Sequence, residues 1–192
     1  NQLKVSVPLF LQKLIKHLST QKEFCIDTET NSIDAHLAEL VGFSFATCAH
    51  EAYYVPIPED QSEAKAITEE FKEVLENENI LKIGQNLKYD FTVLQNYGIT
   101  LKGKFFDTML AHYLLEPDQR HGMDILSENY LNYIPQKIET LIGKKGAKQG
   151  NMREVAIDEV VEYAGEDADI TLQLKQYLEP MLKNIQSDEK KT

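Results

Sequence analysis

The spacing of apolar residues divides the chain into a first helix, a group of strands and then a series of helices. After Pro8, four apolar residues recur at helical spacing and predict a short amphipathic helix: Leu11, Leu14, Ile15 and Leu18. Short apolar runs bounded by polar residues then predict strands at residues 23–27, 40–46, 52–55 and 80–83. Because short links join the first three strands, we expect them to form a meander.

Helical periodicity dominates the remaining chain. It predicts helices at residues 67–75, 87–97, 107–115, 123–131 and 155 to about 182, the last long enough to cross a domain. Residues 143–150 contain three Gly and three Lys and are predicted to form a mobile loop. Strands first, followed by helices with few strands between them, favour an α/β domain with a mixed sheet.

Length and composition indicate one soluble domain with a substantial core. The chain has 192 residues, of which 42% are hydrophobic and 27% charged. We expect a single domain over residues 1–192, folded from about residue 8 to 186, with a disordered tail at 187–192. No run reaches the roughly 20 apolar residues of a membrane span, and no secretory signal is present. A cytoplasmic monomer without membrane contact is therefore expected.

The net charge of −11, from 20 Lys and Arg against 31 Asp and Glu, argues against strong nonspecific binding of nucleic acid. A site for divalent cations partly removes this objection, because it needs acidic residues and the cations then face the phosphate. Lys144, Lys145 and Lys148 form a local basic group in the predicted loop. They either contact phosphates or keep the loop soluble.

Five side chains can converge on one centre. Residues two apart in a strand point to the same side, so Asp27 and Glu29 share one face at a strand end. Residues four apart in a helix share a face, as Tyr163 and Asp167 do, and Asp90 begins another helix. Carboxylates about 4 Å apart repel by roughly 4 kcal/mol per pair, so such a group requires cations, and oxygen ligands favour Mg²⁺ or Mn²⁺. The sequence thus predicts a two-metal phosphodiesterase centre.

Each of these features also has an ordinary explanation when it is taken alone. Asp27 and Glu29 can be a polar strand end and a surface acid, and Asp90 can interact with the dipole of its helix. Tyr163 and Asp167 can be a core tyrosine and a solvated acid. Their joint order along the chain favours the shared centre.

Three segments resemble, in order and spacing, the exonuclease motifs of the proofreading domain of bacterial family A DNA polymerases. They are residues 27–30 (DTET), 83–90 (IGQNLKYD) and 163–169 (YAGEDAD). The likeness extends from about Phe24 to Leu174. It implies a ribonuclease-H-like fold, a mixed β-sheet flanked by α-helices, and the tyrosine branch of the DEDD exonuclease superfamily.

The resemblance also implies roles for the five side chains. Asp27 would bridge two metal ions, and Glu29 and Asp167 would complete the ligands of the first ion. Asp90 would hold the second ion, directly or through water. Tyr163 would orient the attacking water with help from Glu29, since a phenol donates a hydrogen bond without ionising at neutral pH.

Seven further residues match substrate-binding positions of the family: Thr28, Ile33, Gln85, Asn86, Tyr89, Arg120 and Ile138. Gln85, Asn86 and Arg120 match positions near the terminal nucleotides. Ile33 stands where the family has a leucine that wedges against the last bases. Ile138 falls roughly where the family has a phenylalanine, and an aliphatic side chain cannot stack on a base as an aromatic one does.

The resemblance therefore predicts a 3′→5′ proofreading exonuclease that converts single-stranded or frayed DNA 3′ ends into nucleoside 5′-monophosphates with two Mg²⁺ or Mn²⁺ ions. Its expected partners are the DNA end and a polymerase domain of the same parent chain, which is absent from these 192 residues. Two alternatives stay open. One is an exoribonuclease resembling ribonuclease D, and the other is a catalytically silent module that positions a polymerase.

Overall fold

A computed structural model describes residues 8–189 of the chain, with side chains described from 8 to 185. Its centre is a five-stranded sheet in the order β3-β2-β1-β4-β5. The strands are β1 (Glu23–Thr30), β2 (Leu40–Cys48), β3 (Glu51–Pro56), β4 (Leu81–Gly84) and β5 (Phe105–Asp107). The first three pair antiparallel, whereas β4 pairs parallel to β1 and β5 parallel to β4. The predicted meander and the mixed sheet are confirmed.

Seven α-helices surround the sheet within the described residues. They are α1 (Leu9–Ser19), α2 (Gln61–Leu75), α3 (Leu87–Asn96), α4 (Thr108–Leu115), α5 (Met123–Leu126), α6 (Glu139–Ile142) and α7 (Ile157–Glu189). A π-helical turn, Ser127–Leu131, follows α5, and a 3-10 turn, Met152–Glu154, precedes α7. None of these helices is both long enough and apolar enough to cross a membrane.

Several boundaries differ from those predicted from the pattern. Helix α2 begins at Gln61 rather than residue 67, because the Asp60 side chain caps it by accepting from the N–H groups of Ser62 and Glu63, each at 2.9 Å. The predicted helix at 123–131 is instead α5 and a π turn, which ends at Asn132 in the left-handed conformation, φ 53°. Strand β5 was not predicted, since three residues are too few to show a period.

Helix α7 is longer than the predicted helix at 155–182. It has 33 residues and ends at Glu189, three positions into the segment that was predicted to be a disordered tail. Positions 190–192 lie outside the described residues. At 1.5 Å per residue the helix is about 50 Å long. It packs against β1, β2, β3 and β4, and its length agrees with the prediction of a helix long enough to cross the domain.

The two faces of the sheet carry different layers. Phe24 and Ile26 of β1 belong to a large core shared with α1, α2 and α3, in which Phe45 and Phe71 stack at 5.5 Å. Cys25 on the opposite face packs with Ala46, Ile83, Ala168 and Leu172. The small side chains let α7 approach the sheet closely. Because side chains alternate along β1, Asp27 and Glu29 share the α7 face with Cys25, and Thr28 shares the α3 face with Ile26.

Candidate active site

Three carboxylates from two elements meet near the end of the central strand, β1. Asp27 and Glu29 lie near the end of β1, and Asp167 lies on α7. One carboxylate oxygen of each residue lies within 4.8 Å of the other two. Even at that separation, two carboxylates repel by about 3 kcal/mol at an effective dielectric of about 20. The group is therefore unfavourable unless its carboxyls hold protons or a cation.

Burial raises the pKa of all three carboxyls, and repulsion by neighbouring carboxylates raises those of Glu29 and Asp167 further. Burial raises the pKa of Asp27 to about 7, although a hydrogen bond from the Thr28 backbone acts to lower it. For Glu29 and Asp167, burial is the largest cause of a raised pKa and the charge of Asp27 is the next. Asp27 is thus the charge that its neighbours experience most strongly.

The set of oxygens fits a hard divalent cation. Asp167 Oδ1 is buried and has no hydrogen-bond partner within the described part of the chain. A buried carboxylate oxygen without a partner is costly, so it needs either a proton or a positive charge. Carboxylate oxygens are ligands that Mg²⁺ and Mn²⁺ prefer. Asp27, Glu29 and Asp167 can therefore hold such a cation.

Tyr163 lies one helical turn before Asp167 and lines the same cavity. Burial is the largest cause of the raised pKa of Tyr163, followed by the charge of Asp167, and a hydrogen bond to Asp167 raises it further. The phenol is therefore protonated at neutral pH. Its O–H is engaged with Asp167, and its oxygen can still accept a hydrogen bond from a group in the cavity.

Asp90 approaches this region from the other face of the sheet. It is 2% exposed, and one of its oxygens accepts a 2.6 Å hydrogen bond from Thr28 Oγ1. Burial is the main cause of its raised pKa, and the charge of Asp27 is the next. Asp90 does not belong to the three-carboxylate group of the described residues. The Thr28 hydroxyl is thus engaged with Asp90, and the contact of Thr28 with substrate stays a prediction.

A cavity of about 650 Å³ lies over the carboxylates. Nine of the twelve predicted site residues line it: Asp27, Thr28, Glu29, Ile33, Asn86, Tyr89, Ile138, Tyr163 and Asp167. Ile33 is 91% exposed at its rim, whereas Ile138 is partly buried against a cluster around Tyr54. The structure thus gathers most of the predicted residues around one space.

Three predicted residues do not line the cavity: Asp90, Gln85 and Arg120. Gln85 Nε2 donates to the carbonyl of His121 at 2.8 Å, and Gln85 Oε1 accepts from the hydroxyl of Thr108. The amide therefore joins two neighbouring segments. Arg120 is exposed. The contacts of Gln85 and Arg120 with substrate stay predictions.

The cavity-facing part of α3 is fixed by internal hydrogen bonds. The hydroxyl of Tyr89 lies 2.5 Å from Thr30 Oγ1 and also donates to the carbonyl of Ser32. Tyr89 thus ties α3 to the chain that leaves β1. Asn86, just before α3, has a left-handed backbone, φ 63°, a conformation that asparagine tolerates better than most residues. Both residues, predicted to contact substrate, also shape the wall.

Asp107 is a positioning residue that was not among the predicted site residues. Its carboxylate accepts from the N–H groups of Asn86 at 3.1 Å and Leu87 at 2.8 Å, at the start of α3. It also accepts from Met109 at 2.9 Å and Leu110 at 3.3 Å, at the start of α4. One side chain therefore caps two helices, including the helix that carries Asp90. An Asp just before an apolar helical run is the sequence signal for such a cap.

Replacing Asp107 by alanine is expected to destabilise the domain by about 2 kcal/mol, because two helix caps are lost at about 1 kcal/mol each. In a domain of this size that corresponds to a fall of roughly 4–8 °C in Tm, measured by thermal unfolding. Asp60→Ala is the matched control, since Asp60 caps α2 alone. An equal loss in the two variants would show that the bonds to α3 contribute nothing.

One wall of the cavity is formed by the predicted mobile loop, residues 143–150, and by residues next to it. Five residues of this wall were not predicted: Ile142, Gln149, Gly150, Asn151 and Met152. Arg153 fixes the wall by donating to the carbonyl of Ile57 at 2.5 Å and to that of Leu40. These partners lie 96 and 113 positions away along the chain. No local sequence pattern could reveal contacts of that separation.

The sequence of this chain is similar to those of known proteins. A family model described as 3′-5′ exonuclease matches residues 4–183. DNA polymerase I of Pseudomonas aeruginosa is 41% identical over 182 residues, which are 90% of this chain and 20% of that protein. DNA polymerase I of Borreliella burgdorferi is 34% identical over 187 residues, 96% of this chain and 20% of that protein. The chain spans about a fifth of the length of these relatives.

Solved structures show the same fold at lower identity. Brucella melitensis NrnC is 23% identical with a TM-score of 0.71, over 90% of this chain and 79% of that one. A second structure of NrnC, described with bound Mg²⁺, is 22% identical with a TM-score of 0.69, over 90% of this chain and 79% of that one. The predicted ribonuclease-H-like fold is confirmed. Since the family model matches nearly all of the chain, the chain belongs to the 3′-5′ exonuclease family that is also found in bacterial DNA polymerases I.

Proposed function

We propose that this exonuclease domain removes nucleotides from single-stranded or frayed 3′ ends of DNA, with two divalent cations, Mg²⁺ or Mn²⁺, bound at its carboxylates. The observation that carries the proposal is the group of Asp27, Glu29 and Asp167 oxygens within 4.8 Å of one another. A cavity open to solvent lies directly over them. Among the described residues, no other group of three acidic, histidine or cysteine side chains lies this close together.

The carboxylates define where the cations would bind. Asp27, Glu29 and Asp167 would hold one ion, and Asp27 with Asp90 would hold the other. When bound, the ions supply Lewis-acid chemistry at the phosphate and positive charge for the developing negative charge. The Thr28 hydroxyl would keep Asp90 oriented for this role.

The protein groups orient the attacking water. Tyr163 remains protonated because burial and the nearby carboxylates raise its pKa, so it can hydrogen-bond a water in the cavity. Glu29, on the facing strand, would accept the second hydrogen bond from that water. The water oxygen would attack phosphorus and give up a proton to bulk water, the bond from phosphorus to the 3′-oxygen would break, and that oxygen would take up a proton from bulk water. The product is a nucleoside 5′-monophosphate.

Proofreading follows from the form of the substrate. A cavity of about 650 Å³ would accommodate part of a single strand but no duplex. A mispaired end separates at a lower free-energy cost than a paired one, so it enters more often. Ile33, exposed at the rim, would lie between the separated 3′ end and its partner strand. In the parent chain we propose a polymerase domain as the source of such ends, as the polymerase relatives suggest.

The direct test is degradation of a 5′-labelled oligodeoxynucleotide by the purified chain in Mg²⁺ or Mn²⁺, with EDTA as control. Stepwise shortening from the 3′ end supports the proposal, whereas an intact oligonucleotide in both metals would favour a silent module. The same oligonucleotide with a 3′-terminal ribose tests the ribonuclease-D-like alternative. Faster removal of the ribonucleotide would contradict DNA as the substrate, because the 2′-hydroxyl is the only difference.

Replacing Tyr163 by phenylalanine is expected to lower kcat by about 10- to 100-fold with little change in KM. The ring and its packing remain, but one hydrogen bond in a charged setting is lost, which is worth roughly 1.5–3 kcal/mol. Single-turnover hydrolysis of the labelled strand measures the effect. Tyr177→Phe on the same helix, away from the cavity, is the control. A Tyr163→Phe enzyme with full kcat would exclude the phenol from orienting the water.

A further inference from the structure

A basic loop is built into the wall of the cavity. Helix α6 ends at Gly143, whose φ of 84° favours glycine and directs the chain outward. The chain returns at Gly150, whose N–H donates to the carbonyl of Ile142 at 2.8 Å. Gln149 Nε2 donates to the carbonyl of Gly143 at 3.1 Å and closes the base of the loop a second time. Ile142, Gln149 and Gly150 all line the cavity, so the loop rises from its rim.

The loop carries positive charge that the protein does not neutralise. Lys144, Lys145 and Lys148 are exposed, and none of them forms an ion pair with the side chains described, those of residues 8–185. Among the described side chains, four lysines elsewhere pair with glutamates, as Lys102 does with Glu76 at 3.1 Å and Lys183 with Glu179 at 3.1 Å. Other exposed lysines are unpaired too, so the loop differs by its density of charge: residues 143–150 hold three lysines within five positions and no acid, in a chain of net charge −11.

We propose that Lys144, Lys145 and Lys148 bind the phosphate backbone of a single strand just outside the cavity, on the 5′ side of the nucleotides that occupy it. This inference rests on the proposed function, since it assigns a role to the chain that leads into the same site. The carboxylates below repel an approaching phosphate, and the loop places compensating charge where the strand must pass. The class of ligand is single-stranded nucleic acid, held through its backbone.

The chemistry of the loop restricts what it recognises. Residues 143–150 contain no aromatic side chain that could stack on a base. Lysine ammonium groups act as point charges and suit phosphate oxygens without reading sequence. Binding through this loop should therefore be independent of sequence and strongly dependent on salt.

The test compares two triple variants with the same change in charge. Lys144→Ala, Lys145→Ala and Lys148→Ala remove the loop charges. Lys13→Ala, Lys16→Ala and Lys65→Ala remove three exposed lysines from α1 and α2, on the opposite face of the sheet. Both are made in an Asp27→Asn background, which prevents hydrolysis. Dissociation constants for a fluorescein-labelled oligothymidylate are measured by anisotropy over a range of salt at fixed Mg²⁺.

For single strands, the slope of log affinity against log salt is about 0.7 per phosphate contact, so loss of three contacts should reduce it by about 2. At about 0.1 M salt the loop variant should bind 10- to 100-fold more weakly than its parent, with the difference vanishing towards 1 M. The α1 and α2 variant should match the parent. A dinucleotide, which fits inside the cavity, should bind the loop variant and the parent equally.

Three results would overturn the proposal: an unchanged salt slope in the loop variant, an equal loss in both triple variants, or an equal loss for the dinucleotide. Thermal unfolding checks that the exposed substitutions leave the fold intact. Because binding is measured without hydrolysis, failure of the loop proposal is separate from failure of the exonuclease proposal. If the unmutated chain degrades DNA but the loop variant has an unchanged salt slope, only the loop proposal is rejected. If the unmutated chain is inactive but the loop variant has a reduced salt slope, only the exonuclease proposal is rejected.

Discussion

Asp27→Asn is expected to lower the rate of 3′-end hydrolysis by roughly 10³-fold or more. Asp27 is the charge that Glu29, Asp90 and Asp167 each experience most strongly, which places it at the centre of the carboxylates. Asparagine keeps the shape of the side chain but removes the negative charge that would be shared between cations. A 10³-fold lower rate corresponds to a loss of about 4 kcal/mol of transition-state stabilisation. Bound metal ions stabilise the transition state by several kcal/mol, so a loss of this size is expected when one of their ligands is removed.

Single-turnover cleavage of a labelled strand at saturating Mn²⁺ measures the loss. Glu162→Gln is the matched control, because Glu162 is an exposed acid directly beside Tyr163 and loses the same charge. We expect it to retain activity within about two-fold, as substitutions of exposed residues usually do. If Asp27→Asn kept more than a tenth of the parental rate, or if both variants lost activity equally, the carboxylate group could not be the centre of the reaction.

The second large effect is on stability, which without divalent cations should fall as the pH rises from about 4 to 7. The pKa of Asp27 is near 3.8 in an unfolded chain and about 7 in the folded one. Between these values the folded state binds more protons than the unfolded state, so stability decreases with pH. One such group contributes up to about 1.4 kcal/mol per pH unit. Raised pKa values at Glu29, Asp90 and Asp167 act in the same direction.

Other carboxylates oppose this trend. The pKa of Glu76 is lowered, chiefly by the N–H of Thr100, and ion pairs lower that of Glu179 against the effect of burial. Their contribution to stability is present above their unfolded pKa and is lost as the pH falls. The difference between the parent and Asp27→Asn isolates the site, because these groups are the same in both.

Thermal unfolding in EDTA at several pH values therefore provides the measurement. Asp27→Asn should be more stable than the parent above about pH 7 and equal to it near pH 4. Added Mn²⁺ should raise the Tm of the parent at pH 8. At a Mn²⁺ concentration of 100 times the dissociation constant, the free energy of unfolding should increase by about 2.7 kcal/mol, and the increase should be much smaller in the variant. If the stabilities of the parent and Asp27→Asn in EDTA changed equally between pH 4 and 7, the raised pKa of Asp27 would be contradicted.

The parts of the site that sequence could predict are those fixed by local periodicity. Asp27 and Glu29 lie on one face because strand side chains alternate, and Tyr163 and Asp167 lie on one face because a helix turns every 3.6 residues. The structure brings the carboxylates of Asp27, Glu29 and Asp167 together. Their detailed roles, together with those of the substrate-binding residues, stay predictions.

The parts that sequence could not predict depend on distant contacts. The wall that contains Gln149 and Met152 is placed by Arg153 through carbonyls of β2 and the chain after β3. Asp107 shows a visible capping pattern for α4, but nothing local indicates that it also caps α3. Asp60 shows the same capping pattern at the true start of α2. The boundary error there came from following apolar periodicity alone.

The alternation along β1 has a consequence for how this part of the chain can vary. Inserting one residue ahead of Asp27 would exchange the two sides of the strand and turn its acids into the aromatic interior around Phe24. Pairing with β2 changes register between Glu29 and Thr30. After Thr30 the alternation of β1 no longer decides on which face a side chain lies. Insertions and deletions are therefore tolerable after Thr30 and intolerable before Asp27.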